Sequence, residues 1–576
     1  MSLPLLVVGA LGLLALGYRL YGRWIGRTLA LDDARPTPAH VHEDGVDFVP
    51  ARPFYLFGQH FSAIAAAGPI AGPILAAQSF GWAPCLLWIA FGVVFIGAVH
   101  DCSSLAISVR HGGHGLAELA RELLGPRAGI ALLAFIWIAL LYVIVAFTDI
   151  TAGTFVTGPE ELAGVATDFH PGGAVAAAAI MYLLLAVIMG QWERIVKPPL
   201  WLTTVIFVPA TFVVVWAGTL FSHALLFDRT TWGLLILAYC GIASVLPASA
   251  LLQPRGYLGG FVLYMALALG VIGALFGGYA IAQPAFKTWD TGALSGALFP
   301  FLFVTIACGA CSGFHGLVCS GTTSKQVDKE SHCVPVGYGA MLAEGFVAVI
   351  ALITIMIVPT ERAAGLAPGT IYGQGIGRFL TLLVGEHNMK FAMTFGAMAF
   401  STFVFDTLDV STRLGRIILQ ELFGWRGRAG AAAATMLTLA VPAWMLGFTK
   451  SGGWLQFWTL FGASNQLLAA LTLLLVTVWL RRAGRRSLHA LLPMLFVLGI
   501  TVWALGTLLV GNVRAMQEAA GGAAGAAGVG GATAAVNAAA AAALIGLAGY
   551  LVVGAVRKRG AMGGAEIRAQ PRAGPP

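Results

Sequence analysis

The chain has 576 residues, of which 58% are hydrophobic and only 10% are charged. A soluble domain has about a quarter of its residues charged, so the composition excludes a soluble protein and indicates a membrane protein with many spans. The net charge of +8 does not indicate nucleic-acid binding, because 26 of the 33 Lys and Arg residues fall in the loops of one side. This bias predicts that those loops are cytoplasmic, with the N-terminus outside and the C-terminus in the cytoplasm.

Crossing a bilayer takes about 20 apolar residues, and the sequence predicts an all-α fold with about 15 such spans. They lie near 3–20, 59–80, 83–108, 128–150, 173–190, 200–222, 231–252, 256–282, 297–320, 337–358, 388–407, 430–449, 454–480, 489–511 and 535–556. We expect residues 1–58 to form one span and a charged cytoplasmic loop. We expect additional helices over 430–556 and a disordered basic tail over 557–576.

Residues 59–78, QHFSAIAAAGPIAGPILAAQ, are apolar but carry Gly68-Pro69 and Gly72-Pro73 in their middle. Each proline removes a backbone donor and clashes with the preceding turn, so the pattern predicts a broken helix. Backbone groups freed at membrane depth are tolerated when they are buried in protein or line a polar cavity. The pattern therefore predicts a binding-site helix of a secondary transporter, with two half-helices pointing their ends at a small solute.

The predicted span at 231–252 is a second interrupted helix. It contains Gly241, Ser244, Pro247 and Ser249. Counted from the span at 59–80 it is the sixth helix, where the second of two inverted five-helix units begins. Interrupted helices at corresponding positions of two halves mark a binding site. We therefore expect a first repeat at 59–222, a second at 231–422, and Ser244 and Pro247 at the substrate site.

The ninth predicted span carries Cys308, Cys311, His315 and Cys319 at spacings of 3, 4 and 4, which place them on one helical face. Such a face could bind zinc or an iron–sulfur cluster. A straight helix, however, spreads the four residues over about 16 Å, too far for one tetrahedral centre. A packing face is favoured, no metal is expected, and His315 with Ser312 is a candidate polar lining.

Acidic residues inside two predicted spans are candidates for ion coupling, because an intramembrane carboxylate is costly. Glu344 lies in YGAMLAEGFVAVIALITIMIV, where it acts as a proton carrier or as a structural hydrogen-bonding group. Asp406, Asp409 and Arg413 are spaced 3 and 4 apart and share one helix face. This triad is expected to form an internal gate or cation site, or else a structural ion-pair network.

Two further polar groups have competing interpretations. His100-Asp101, predicted at the cytoplasmic mouth of the third span, could shuttle protons, but interfacial hydrogen bonding is favoured. Ser464, Asn465 and Gln466 lie on an otherwise apolar helix, where hydrogen bonding across helices is favoured over a role in a site.

Several long motifs occur in one order over roughly residues 1–480. They are YGRWIGRTLALDDARPTPAHVHEDGVDFVP, FGQHFSAIAAAGPIAGPILAAQ, ASVLPASALLQPRGYL, TIACGACSGFHGLVCSGTTSKQ, GYGAMLAEGFVA, DTLDVSTRLGRIILQEL and LFGASNQLLAALTL. In this order they resemble the carbon starvation protein CstA family. The chain departs from the family pattern in PIAGP, where a PLVGP-like sequence is expected, in Gln59 beside His60, and in Cys311 and Cys319.

The resemblance implies a member of the amino acid–polyamine–organocation transporters, with a LeuT-like five-plus-five inverted repeat and two broken helices. It implies a non-enzymatic inner-membrane symporter, without a cofactor, that takes up pyruvate or small peptides during carbon starvation, coupled to a proton or sodium ion. The half-helix ends near Ala67 to Gly72 would meet the substrate carboxylate, assisted by His60 or His315. Glu344 and Asp409 are the candidates for the coupling proton. A channel and a membrane-embedded metal or redox protein are the alternatives.

Overall fold

The computed structural model describes residues 2–45, 47–158, 168–246, 251–448, 454–520 and 531–562, and within them the protein is all-helical with no strand. The helices are α1 (Leu3–Gly17), α2 (Arg23–Leu29), α3 (Pro38–Val41), α4 (Pro53–Ile64), α5 (Gly68–Phe80), α6 (Trp82–Gly92), α7 (Ala98–Arg110), α8 (Leu116–Leu124), α9 (Pro126–Phe155), α10 (Pro171–Val196), α11 (Leu200–Leu220), α12 (Arg229–Val245), α13 (Leu252–Phe276), α14 (Leu298–Thr305), α15 (Gly313–Gly321), α16 (Ala340–Met356), α17 (Thr360–Ala363), α18 (Pro368–Val384), α19 (Met389–Phe423), α20 (Gly427–Phe448), α21 (Trp454–Arg482), α22 (Leu488–Ala520) and α23 (Gly531–Met562).

Twelve helices of the described chain are long and apolar enough to cross a membrane, or 13 if the bent pair α4–α5 is one span. The prediction of an all-helical protein with many spans is confirmed. The expected spans at 231–252 and 297–320 do not meet this length criterion, because α12 has 17 residues and α14 has 8. Helix α18 was not predicted, since its glycines and its polar Gln374 and Arg378 interrupt the apolar run.

The broken helix predicted at 59–78 is present. Helices α4 and α5 meet at a bend of 45°, and the backbone leaves the helical conformation at Ala65. Gly68 and Pro69 occupy the first turn of α5, where a proline is tolerated because its missing N–H would have no partner. Pro73 lies inside α5. The break therefore lies immediately before the Gly-Pro pairs.

The predicted interruption of the span at 231–252 by Gly241 and Ser244 is wrong, because α12 is continuous through both residues to Val245. At the end of this helix, Arg413 and Arg416 donate hydrogen bonds to the carbonyls of Ala243, Ser244 and Leu246. Pro247 and Ser249 lie outside the described residues.

The second broken helix of the described chain is the ninth predicted span, which was expected to be straight. Its two halves are α14 and α15, and residues 306–312 between them are not helical. Ser312 precedes α15 with an extended backbone. Cys308 and Cys311 therefore lie in the break, so the four Cys and His residues do not follow one helical face.

The two broken helices cross at their breaks, with α5 packed on α14 and α4 packed on α15. A Cβ atom on Gly68 would stand 2.6 Å from Cβ of Cys308, and one on Gly72 would stand 2.6 Å from the carbonyl oxygen of Thr305. Real Cβ atoms do not come so close. Glycine at these two positions is what allows the backbones to meet.

The helix that follows each broken helix contains one π-helical turn. The turn at Val93–Gly97 joins α6 to α7, and the turn at Val334–Gly339 leads into α16. Each turn precedes an acidic residue, Asp101 on α7 and Glu344 on α16. Such turns occur frequently at functional sites.

The loop between α2 and α4 lies against the segment that follows α15. The backbone N–H of Asp32 donates to the carboxylate of Glu330 at 2.9 Å, and Arg110 at the end of α7 donates to the same carboxylate at 3.0 and 2.8 Å. The backbone N–H and hydroxyl of Ser331 donate to Asp33, and the backbone hydrogen bond holds the pKa of this carboxyl below its ordinary value. These contacts hold the charged loop against the segment that follows the second broken helix.

Candidate functional site

A buried polar cluster lies where the two broken helices meet. We call it the crossing site and define it as His60, His100, Asp101, His315 and Glu344. They come from α4, α7, α15 and α16, and none has more than 1% of its surface exposed. Buried groups that ionise are costly unless they are paired or neutralised. The crossing site is therefore a concentration of titratable groups that packing alone does not require.

Asp101 is the centre of the crossing site. Nδ1 of His100 donates to one of its carboxylate oxygens at 2.7 Å, and Nδ1 of His315 donates to the other at 2.9 Å. In the described chain these two imidazoles are its only ion partners. Both side chains are completely buried within the protein, and the interfacial position expected for His100 and Asp101 stays a prediction.

Glu344 faces the other nitrogen of His315. Its Oε2 forms an ion pair with His315 Nε2 at 3.1 Å, and in the described chain neither Glu344 oxygen has a hydrogen bond of regular geometry. The carboxyl of Glu344 and the imidazole of His315 are thus close enough to share one proton, which can reside on either group.

His60 occupies the corner of the crossing site on the first broken helix. Its Nδ1 lies 2.8 Å from the hydroxyl of Thr323, and its Nε2 lies 3.8 Å from Sγ of Cys319. Cys319 donates its S–H to the backbone carbonyl of Asp101 at 3.5 Å. His60 and His315, both predicted as substrate-site residues, are therefore brought to one place by α4 and α15.

The break of the second broken helix is held by α21. Asn465 accepts the backbone N–H of Phe314 at 2.9 Å and donates to the hydroxyl of Ser312 at 3.1 Å. Gln466 donates to the carbonyl of Phe303 at 2.8 Å. The favoured interpretation of Asn465 and Gln466 as groups that hydrogen-bond across helices is confirmed. The predicted lining residue Ser312 is held by this contact.

The half-buried Asp406 and the buried Asp409 form a second polar group, whose cationic partner is not the one expected. Arg255, completely buried on α13, donates to Asp406 at 2.8 and 2.6 Å and pairs with Asp409. The hydroxyl of Tyr239 also donates to Asp409, at 2.9 Å. The expected triad with Arg413 is wrong, although the two aspartates do share one face of α19.

Arg413 is turned towards α12 and donates to the carbonyls of Ala243 and Leu246 at 3.2 and 2.6 Å. These carbonyls belong to the helix end, where they have no intrahelical donor, and a cationic side chain is favourable there. Ser244 is buried in the same region, with its hydroxyl 3.3 Å from that of Thr435. Arg413 and Ser244 are thus not part of the crossing site.

Asp101 and Arg255 are central to these two polar groups but are not among the predicted site residues, since a proton shuttle at His100-Asp101 is not the favoured interpretation of the sequence. Asp101 stands in AVHDCSSLAIS, and its neighbouring histidine and serines gave the appearance of a helix end. Arg255 stands beside Pro254 in LLQPRGYL and was assigned to a loop. Each is a charged residue bordered by apolar segments, which is the pattern that could have identified them.

A multi-pass helical core in which two broken helices cross at a buried titratable cluster defines a secondary transporter. The family model for carbon starvation protein CstA matches residues 2–373 and 360–504. The chain belongs to the carbon starvation protein CstA family.

The curated relatives are transporters. A peptide transporter CstA of Bacillus subtilis is 33% identical over 90% of this chain and 93% of its own length. The pyruvate/proton symporter BtsT of Escherichia coli is 31% identical over 87% of this chain and 81% of its own. A peptide transporter CstA of the same organism is 33% identical over 87% and 80%. The channel and the metal or redox protein are thereby set aside as the primary function.

Solved structures resemble the chain weakly. A mutant of the manganese transporter of Eremococcus coleocola has a TM-score of 0.42 at 15% identity and covers 87% of this chain and 95% of its own. MhsT in complex with L-phenylalanine has a TM-score of 0.41 at 14% identity and covers 85% and 98%. Scores this low do not define a shared fold.

Proposed function

We propose that this chain is a proton-coupled symporter that takes up a small solute bearing a carboxylate, either a monocarboxylate such as pyruvate or a short peptide. The observation that carries the proposal is Glu344, completely buried, whose ion partner in the described chain is His315 and whose oxygens make no hydrogen bond of regular geometry there. A buried carboxylate without a fixed partner binds and releases a proton at low structural cost. The names of the relatives from Bacillus subtilis and Escherichia coli support the two substrate classes.

In this proposal Glu344 carries the coupling proton, and Asp409 does not. Asp409 is paired with Arg255 and accepts from Tyr239, so protonation would leave the buried Arg255 with less compensation. Asp406, Asp409 and Arg255 instead tie α19 to α13. Arg413 closes the end of α12, and its role is structural.

The substrate carboxylate is proposed to bind beside the two breaks. The first turn of α5, with Gly68, Pro69, Gly72 and Pro73, starts at one break, and Ser312 lies at the end of the other. Helix N-termini present backbone N–H groups to anions, and His60 and His315 lie on the adjoining half-helices. The start of α5 lies against the second break, since a Cβ on Gly309 would stand 3.5 Å from Cα of Pro69, whereas the N–H of Phe314 at the start of α15 is bound by Asn465.

We infer an inverted repeat in which α4–α5 corresponds to α14–α15, rather than to the helix at 231–252. The broken helices support this pairing, because α4 packs on α15 and α5 on α14, as antiparallel copies would. The following helices support it too, since each has a π-helical turn before its acidic residue, Asp101 or Glu344. Rocking of one repeat against the other would then expose the crossing site alternately to each side.

The proposed location is the inner membrane, with the N-terminus outside and the C-terminus in the cytoplasm. The distribution of Lys and Arg between the loops supports this orientation. The loop between α2 and α4, with Asp33, would then cover the cytoplasmic end of the second broken helix. Proton-driven uptake across the inner membrane fits a role during carbon starvation.

The test is uptake of labelled pyruvate and of a labelled dipeptide into proteoliposomes with an imposed inward proton gradient. Pyruvate uptake that collapses with a protonophore supports the monocarboxylate, and dipeptide uptake with the same behaviour supports the peptide. A sodium gradient replaces the proton gradient in the control. Folded protein that accumulates neither solute under either gradient contradicts the proposed function.

A further inference from the structure

The crossing site contains a second arrangement of ligand-type atoms that the proposed proton carrier does not use. The ligand atoms of His60, Asp101 and Cys319 all lie within 4.8 Å of one another, and all three residues are buried. They come from three helices, α4, α7 and α15. Their convergence is therefore a consequence of the tertiary fold and not of local spacing.

We propose that His60, Asp101 and Cys319 form a binding site for a transition-metal ion of the zinc class. An imidazole, a carboxylate and a thiolate together suit zinc and related ions, whereas magnesium and calcium require oxygen ligands throughout. Three protein ligands leave a fourth position for water or an anion, as in zinc sites that keep one position open. This site goes beyond the proposed transport function and does not depend on it.

The distances are close to those of an occupied site. Bond lengths of about 2.1 Å to nitrogen and 2.3 Å to sulfur in a tetrahedron separate the two atoms by about 3.6 Å. Nε2 of His60 and Sγ of Cys319 are 3.8 Å apart. Since no pair of ligand atoms exceeds 4.8 Å, side-chain adjustments of about 1 Å bring all three to tetrahedral separation.

The surrounding hydrogen bonds prepare the ligands. When Nδ1 of His60 donates to the hydroxyl of Thr323, at 2.8 Å, the lone pair of Nε2 faces Cys319. Asp101 receives hydrogen bonds from His100 and His315, which orient its carboxylate. Partners of this kind fix the tautomer and direction of metal ligands, and their removal weakens metal binding by about 10- to 100-fold.

The experiment uses the full-length protein in detergent, with Zn²⁺ for equilibrium binding and Co²⁺ as a spectroscopic probe. We expect one Zn²⁺ per chain and a Co²⁺–thiolate charge-transfer band that Zn²⁺ displaces. Cys319→Ser removes the band, and Cys311→Ser, a buried cysteine outside the three-ligand set, retains it. Thr323→Val keeps all ligands and weakens Zn²⁺ binding by about 10-fold.

X-ray absorption at the zinc edge of the unmodified protein keeps the proposal testable if Cys319→Ser does not fold. One sulfur at about 2.3 Å, with nitrogen and oxygen completing the shell, supports the site. A shell without sulfur, or with two or more sulfurs, contradicts it. Absence of tight Zn²⁺ binding, or a Co²⁺ band that persists in Cys319→Ser, also overturns it. None of these readouts requires transport, so failure of this site is distinguishable from failure of the proposed symport.

Discussion

Oε2 of Glu344 lies 3.1 Å from Nε2 of His315, and both side chains are completely buried, yet the two groups are not aligned as a hydrogen bond. His315 is bonded through its other nitrogen to Asp101, which fixes the ring. In the described chain Glu344 is therefore paired only with a ring that is already hydrogen-bonded to Asp101. A mobile proton is best placed on such a group, because its transfer breaks no existing hydrogen bond.

Glu344→Gln is expected to abolish proton-driven accumulation while leaving solute exchange intact. Glutamine keeps the size of the side chain but cannot release a proton, so it mimics the protonated carrier. The measurement compares uptake under an inward proton gradient with exchange of internal for external labelled solute. Asp409→Asn serves as the comparison variant, because Asp409 is committed to Arg255. Accumulation by Glu344→Gln equal to that of the unmodified protein would exclude this residue as the carrier.

Asn465→Ala is expected to lower the free energy of unfolding by about 1–3 kcal/mol. The substitution leaves the buried backbone N–H of Phe314 and the hydroxyl of Ser312 without their partner on α21. Thermal unfolding in detergent, followed by tryptophan fluorescence, measures the loss. Ser464→Ala is the matched control, since within the described chain the Ser464 hydroxyl donates only to the carbonyl of Phe461 in its own helix. Equal effects of the two substitutions would refute a role of Asn465 in holding the break.

The contrast between the two breaks explains what the sequence could predict. The first break was predictable because glycine and proline act locally on the backbone of residues 59–78. The second break, in TIACGACS, contains no proline. The backbone groups beside it that lack a partner in their own helix bind Asn465 and Gln466, on a helix about 150 residues later. A straight helix was the reasonable expectation there, since no local residue opposes it strongly.

The same limit applies to the charged residues. Spacings of 3 and 4 made Arg413 an available partner for Asp409, but spacing within one helix does not report which side chain another helix supplies. Arg255 approaches from α13 and binds both aspartates. In the crossing site, Asp101 and His315 are more than 200 residues apart in sequence, so their contact follows from the packing of α15 on α7.

Gly68→Ala and Gly72→Ala are expected to disrupt the crossing to a similar degree but to differ in their rescue. The Cβ of Gly68→Ala would collide with the side chain of Cys308, so a second substitution, Cys308→Gly, restores folded protein. The Cβ of Gly72→Ala would collide with the backbone oxygen of Thr305, which no side-chain substitution removes.

The yield of monodisperse protein and the midpoint of thermal unfolding report the rescue. Gly256→Ala on α13 is the control, because nothing lies within 4 Å of its Cβ position. Rescue of Gly72→Ala by Cys308→Gly, or failure to rescue Gly68→Ala, would show that the helices do not meet as described.

Two double-mutant cycles test whether Asp409 interacts with Arg255, as the structure shows, or with Arg413, as the sequence predicts. Arg255→Gln is expected to destabilise the protein by about 3–5 kcal/mol, because it leaves the buried Asp409 and the half-buried Asp406 without their cation. Combining it with Asp409→Asn restores part of this loss, giving a coupling energy above about 1 kcal/mol. Arg413→Gln with Asp409→Asn gives a coupling energy near zero, because Arg413 binds the carbonyls of Ala243 and Leu246. Denaturant unfolding of the single and double variants measures both coupling energies. A larger coupling energy for Arg413 with Asp409 than for Arg255 with Asp409 would contradict Arg255 as the partner.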